Sequence, residues 1–243
     1  TALIMAVLFI YHRKAMPKPE NDIARMPKSI GEIFYNFGDI IRSYFQKPGI
    51  WATLLFLLLF RFPEAQLGKI GKLFLMDTIS SGGLELSKGD IGFLNGVVGV
   101  FGLIIGGILG GICISRKGLK YWLWPMVIAI SLPDIVYVYM SMAMTSDLTI
   151  IGSCIFIEQL GYGFGFTAYT LYMIYFAQGK YPTAHFAIST AFMSLGMMLP
   201  GMISGYIQEW LGYENFFLWV MLCTSVTFTV SALIKIDPAF GRK

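Results

Sequence analysis

Apolar residues fall in six long blocks, at about 50–79, 89–115, 120–143, 148–177, 184–207 and 215–236. Each exceeds the roughly 18 positions that mark a membrane-spanning helix. Lipid offers the backbone no partners, and these runs read as helices rather than as the alternating strands of a barrel. The connections are short, so neighbouring helices are expected to run antiparallel. Ahead of the blocks, Ala2 to Tyr11 would form a helix about 15 Å long, half a bilayer. His12, Arg13 and Lys14 follow it at once. A signal peptide carries its charges first, so this segment reads as the tail of a helix that begins before the sequence does. Residues 12–49 form a linker with Pro17, Pro19 and Pro27. Within it Ile33, Phe34, Phe37, Ile40, Ile41 and Phe45 recur at helical spacing, which predicts a helix lying along the membrane surface over 30–45.

Charge orders these blocks. Of 18 Lys and Arg, fourteen fall in the linker, near 116–120, near 178–183 or at the C-terminal end. Lys88 alone falls in the opposite loops, and Arg61, Lys69 and Lys72 lie within a helix. Cytoplasmic loops collect Lys and Arg, so linker and tail are expected on the cytoplasmic face of a plasma (inner) membrane. The sorting supports six helices, because dropping one would scramble it. The expected organisation is an all-α membrane protein: the end of a preceding helix at 1–11, a basic cytoplasmic linker at 12–49, a six-helix transmembrane bundle at 50–236 and a cytoplasmic tail at 237–243. The composition agrees, with 56% apolar and 13% charged residues against about 25% charged in soluble domains. The net charge of +4 does not indicate nucleic acid, because the positive residues are sorted by loop rather than gathered on one soluble face.

Charges inside spans are costly, at least about 2.5–3.5 kcal/mol each near the centre, and persist where they face a partner or a watery cavity. Counting about 1.5 Å per residue from Trp51, Trp122 and Asp147, Arg61, Asp134 and Glu158 each lie about 15–18 Å deep, on three helices. Glu64 follows Arg61 by three residues and can pair with it. Arg61, Glu64, Gly68 and Lys72 share one stripe, and Pro63 predicts a kink there. Lys69 lies off the stripe and is expected to snorkel outward. A second stripe holds Glu158, Tyr162, Gly165, Tyr169 and Met173, with Gln159, Tyr172 and Tyr175 beside it. A midplane acid without an adjacent base is a candidate proton carrier, and tyrosines suit sugars, peptides or nucleotides. The candidate substrate and proton pathway is therefore Arg61, Glu64, Lys72, Asp134, Glu158, Gln159, Tyr162 and Tyr169. Alternatives are that Arg61 and Glu64 only neutralise each other, that Glu158 bonds a neighbouring helix, and that Asp134 after Pro133 belongs to a local turn.

Gly99, Gly102, Gly106 and Gly110 have small-xxx-small spacing and predict close helix packing. Gly161, Gly163 and Gly165 lie inside an apolar helix rather than after a strand, so they are not a dinucleotide loop. Cys113, Cys154 and Cys223 are isolated in apolar runs, with no metal or disulfide spacing. His12 and His185 lie near the surface, and no nucleophile, base and orienter come together. No cofactor, metal site or catalytic residue is expected, which argues against a membrane-embedded acyltransferase. One asymmetric chain also lacks the ring of a channel.

A half-helix, a long basic linker and six helices ending in the cytoplasm resemble the C-terminal half of a major facilitator superfamily transporter. Gly110 to Gly118, GGICISRKG, resembles a degenerate copy of that superfamily's short-loop motif, with Ile114 or Ser115 where the motif has Asp. Gly205 to Phe217, GYIQEWLGYENFF, resembles the turn between the last two helices. More narrowly, residues 60–77 (FRFPEAQLGKIGKLFLMD) and 157–205 resemble AmpG-type muropeptide permeases and the related acetyl-CoA transporter branch. The resemblance implies a twelve-helix protein whose other, N-terminal six-helix half is absent here. It implies proton-driven alternating access and a cavity role for Arg61, Glu64, Glu158, Gln159 and Tyr162. The implied partners are the lipid bilayer, protons and a sugar-peptide solute, whose carboxylate would meet Arg61 or Lys72. An exporter of drugs or metabolites and an acetyl-CoA-type nucleotide transporter remain open alternatives.

Overall fold

The computed structural model describes residues 7–9, 11 and 30–242. The readings made of residues 1–6, 10 and 12–29 and of Lys243 lie outside them. Among the described residues there is no strand. Helix α1 is Ile30–Phe45. Helices α2 (Ile50–Met76), α3 (Lys88–Lys117), α4 (Leu119–Ala143) and α5 (Leu148–Ala177) follow, each long and apolar enough to cross a membrane. The last such helix, Pro182–Leu233, has 52 residues, which would stretch about 78 Å if straight, far beyond the roughly 30 Å hydrocarbon core. Gly212 breaks it, with φ 73° and ψ 169°, a conformation open to glycine and strained for residues with a Cβ. We call 182–211 α6 and 213–233 α7. Among the described residues the chain is thus a multi-pass helical membrane protein with six spans, the last two joined at Gly212. Boundaries differ from the sequence expectation chiefly at 208–214, which is helical up to Gly212 rather than a multi-residue turn.

Basic connections gather at one end. There the Lys47 ammonium donates to the carbonyls of Phe176 and Gln178, and Lys180 pairs with Asp39 at 3.1 Å. The tail folds over the α3–α4 connection, with the Leu119 N–H on the Phe240 carbonyl at 3.0 Å. Tyr44 of α1 is fully buried against α6, its hydroxyl 3.0 Å from that of Ser189. His185 lies 3.1 Å from Ser43 in the same contact.

Helix α5 is the centre of the bundle because both its sides are cut back to glycine. Gly161 and Gly163 lie about 200° apart around a helix of 3.6 residues per turn. A Cβ on Gly163 would sit 2.2 Å from the Leu103 carbonyl of α3, and one on Gly161 would sit 2.1 Å from the Ala129 carbonyl of α4. From the other side, a Cβ on Gly106 would meet the Leu160 carbonyl at 2.1 Å. The opposite face of α3 is bare, with Phe101, Ile104 and Ile108 exposed. Lipid tails solvate such a face as readily as leucine does.

Three helices are interrupted. α3 has a widened turn at Leu94–Gly99, and α4 has a tight turn at Leu132–Asp134 around Pro133. α2 breaks between Leu59 and Phe62, and Pro63 sits in the first turn of its second piece, where a missing N–H is harmless. The break frees carbonyls in a setting without water. Side chains from two other helices take them up: the Tyr169 hydroxyl donates to Leu57 at 2.7 Å, and Thr227 donates to Phe60 at 2.9 Å.

Two outcomes follow for thermal melts in detergent. Gly106→Ala should overpack the α3–α5 contact and destabilise by about 1–3 kcal/mol. Gly111→Ala, where a Cβ meets nothing within 4 Å, should melt as wild type, and equal melting of the two would remove the packing account. Tyr169→Phe leaves the Leu57 carbonyl unpaired and should lower stability by about 1–3 kcal/mol. An unchanged midpoint would show that the freed carbonyl finds another partner.

Candidate functional site

The break in α2 puts Arg61 at its corner, 8% exposed. The guanidinium reaches forward one turn and grips Glu64 through two bonds, Nε to Oε2 at 3.2 Å and Nη2 to Oε1 at 3.0 Å. This forked contact is charge-assisted and fixes both groups. The same Nη2 donates to the Tyr162 hydroxyl of α5. The guanidinium also lies over two α5 rings, 5.3 Å from the centre of Tyr162 and 4.9 Å from that of Phe166. Cation–π attraction of this kind strengthens where water is excluded.

One side of this knot opens. A cleft of about 700 Å³ runs between α2 and α6, bordered by Arg61, Gly68, Lys69 and Lys72 on one side and by Met193, Ser194 and Met197 on the other. Its charged groups are all cationic, and neither lysine has a carboxylate partner: the ion pairs among the described residues are Arg61–Glu64 and Lys180–Asp39. The stripe read from the sequence thus faces an opening. Lys69 also borders the cleft, because its stem packs at Gly201 of α6, 3.5 Å from where a Cβ would stand.

Glu158 is 6% exposed and accepts a bond from Gln159 Nε2 at 2.9 Å. Asp134 is 3% exposed, and its Oδ2 and the nearby Ser131 hydroxyl have no hydrogen-bond partner. Asp134 lies within electrostatic reach of both Glu158 and Glu64. Three carboxyls on three helices therefore share the middle of the bundle with one guanidinium.

The tyrosines of the α5 stripe do not gather at one opening. Tyr162 joins Arg61, but Tyr169 is fully buried, stacked on Phe60 at 5.0 Å, with its hydroxyl committed to the α2 break. Tyr172 pairs with Thr53 at 2.7 Å. The face bearing Tyr169 meets the first piece of α2, not the cleft. Two residues nearby carry little functional signal of their own in the sequence. Phe166 looked like any apolar residue and carried no signal. Gln66 is fully buried, accepting from Trp219 Nε1 at 3.1 Å and donating to the Phe62 carbonyl; an uncharged polar residue inside an apolar span was the available clue. The glycines of α3 border no opening in this region; Gly102, Gly106 and Gly110 are buried and Gly99 abuts Gln159.

No protein-family model matches the chain. Curated relatives do. The sequence is 27% identical over 219 residues to a Rickettsia conorii protein named transporter AmpG 1, a match covering 89% of this chain and 50% of the relative. A Rickettsia felis protein of the same name is 26% identical over 239 residues, covering 93% of this chain and 52% of the relative. The anhydromuropeptide permease of Escherichia coli K12 is 25% identical over 179 residues, covering 74% of this chain and 35% of the permease. The chain spans about half the length of the curated relatives it matches most fully. The resemblance carried by residues 60–77 and 157–205 is therefore a similarity over most of this chain to proteins named as AmpG-type transporters.

Proposed function

We propose that this chain forms the C-terminal half of a secondary transporter of the major facilitator type, which carries a muropeptide-like sugar-peptide by alternating access driven by protons. One observation carries the reading: a forked Arg61–Glu64 pair, at a break in a spanning helix, borders a cleft whose other charges are unpaired lysines. A purely structural pair needs no opening beside it. Unpaired cations in a spanning region attract a carboxylate-bearing solute. The curated relatives supply the solute class, since one of them is named an anhydromuropeptide permease. Alternating access would rock this bundle against a second one around the cleft.

Proton coupling rests on charge balance. Glu64, Asp134 and Glu158 against Arg61 leave a shortfall of two positive charges, which protons can fill. Glu158 is the proton carrier in this reading, and Gln159 orients its carboxyl. Asp134 is a second acid that charge on Glu158 would disturb. The gathering of Lys47, Lys180 and the tail at one end supports a cytoplasmic placement of that end in the inner membrane. Tyr169 and the α3 glycines hold the scaffold and leave the solute untouched.

Two measurements test this on the full natural chain. In proteoliposomes, labelled anhydromuropeptide should accumulate only with a pH gradient, and Glu158→Gln should bind solute yet fail to accumulate it. Normal accumulation by Glu158→Gln would end its role as proton carrier, and absence of any muropeptide binding would end the substrate assignment. The ion pair separates structure from function. Arg61→Met alone strands a buried carboxylate and should destabilise by about 3–5 kcal/mol. The double variant Arg61→Met with Glu64→Leu should recover most of that stability while transport stays lost. Recovery of transport in the double variant would make the pair structural only.

A further inference from the structure

A second opening lies at the basic end, about 12 Å along α2 from Arg61 when counted back to Thr53. It is a cleft of about 620 Å³ between the start of α2, the last turn of α5 and the end of α7. Two lysines from distant parts of the chain border it, Lys47 before α2 and Lys235 after α7. Its floor is the hydrogen-bonded pair Thr53 and Tyr172, and Tyr175 and Gln178 also line it.

The donors there outnumber the acceptors that satisfy them. An ammonium has three protons to donate, and Lys47 uses two of them on the carbonyls of Phe176 and Gln178. Lys235 makes no hydrogen bond or ion pair among the described residues. The Tyr175 hydroxyl accepts from the Asp237 N–H at 3.3 Å, so its own proton remains to be given. Partial burial without a carboxylate partner brings Lys47 down to about 8. Two ammoniums and a phenol around one space with no ion-paired acid are the chemistry of phosphate recognition.

The flank of the cleft identifies the bearer of that phosphate. Leu233 at its edge is 47% exposed, and Trp51, 76% exposed on another face of α2, marks the same level of the bundle. Three helices begin or end at this level, where headgroups give way to acyl chains and tryptophan is enriched. A free anion gains nothing from that apolar border, whereas a lipid lays its chains on it. Basic pockets between helices at this depth hold anionic headgroups.

We propose that the cleft between Lys47 and Lys235 binds the phosphate of an anionic phospholipid, with the acyl chains lying toward the exposed Leu233. The site is separate from the Arg61 cleft and does not depend on what is transported. The test is native mass spectrometry and thermal unfolding of the full natural chain in detergent, with added phosphatidylglycerol, phosphatidylcholine or inorganic phosphate. Phosphatidylglycerol should remain bound as a discrete adduct and raise the melting point, whereas phosphatidylcholine and inorganic phosphate should do neither. Lys47→Gln and Lys235→Gln should each weaken phosphatidylglycerol binding about fivefold, Lys235→Arg should keep it, and Lys88→Gln at the far end should leave it unchanged. If Lys47→Gln does not fold because two carbonyls lose their donor, Lys235→Gln decides the matter, since it gives up no bond. Equal retention of both lipids, or phosphatidylglycerol binding undiminished in Lys235→Gln, overturns the site. Inorganic phosphate stabilising as strongly as phosphatidylglycerol overturns the lipid and leaves a free-phosphate site.

Discussion

Hydrocarbon supplies no hydrogen bonds, so any departure from a continuous helix must be met by another side chain. The break in α2 is the place where that constraint shapes everything around it. Two carbonyls freed there are taken by Tyr169 from α5 and Thr227 from α7. With those groups paired, the chain can turn its corner at Arg61, and the guanidinium can reach Glu64 and Tyr162. A straight α2 would carry the same charges without the corner that brings them to the cleft.

The second organising contact is the glycine-lined meeting of α3, α4 and α5. Gly161 lets α4 approach so closely that the Pro133 ring would lie 2.7 Å from an added Cβ. That approach carries the turn at Leu132–Asp134 up to α5 and sets Asp134 near Glu158. The acidic middle of the bundle is therefore a result of glycine packing as much as of the acids themselves. Close approach of backbones also leaves α5 little freedom to rotate, which keeps Glu158 and Tyr162 facing α2 and α4.

The sequence was most informative where lipid dictates the pattern. Long apolar blocks and the sorting of lysines and arginines are direct imprints of the bilayer, and six spans follow from them. The contact of Arg61 with Glu64 was also legible, because a separation of three on a helix fixes it locally. Tyr169 shows where such reading ends. It shares a stripe with Glu158 and Tyr162, but a stripe specifies a direction and not a neighbour. Further along α5 that direction meets the first piece of α2 instead of open space. Lys69 lies off the predicted stripe yet borders the cleft, because Gly201 of a different helix makes room for its stem. Both depend on pairings across the chain that periodicity does not encode.

The junction of α6 and α7 has a consequence of its own. A single residue, Gly212, joins the two, with no connecting loop to absorb relative displacement. Any relative tilt of α6 and α7 therefore falls on the two backbone torsions of this one glycine. The helix ends that meet there expose Tyr206 and Trp210, 78% and 85%, aromatic rings suited to the level where lipid gives way to water.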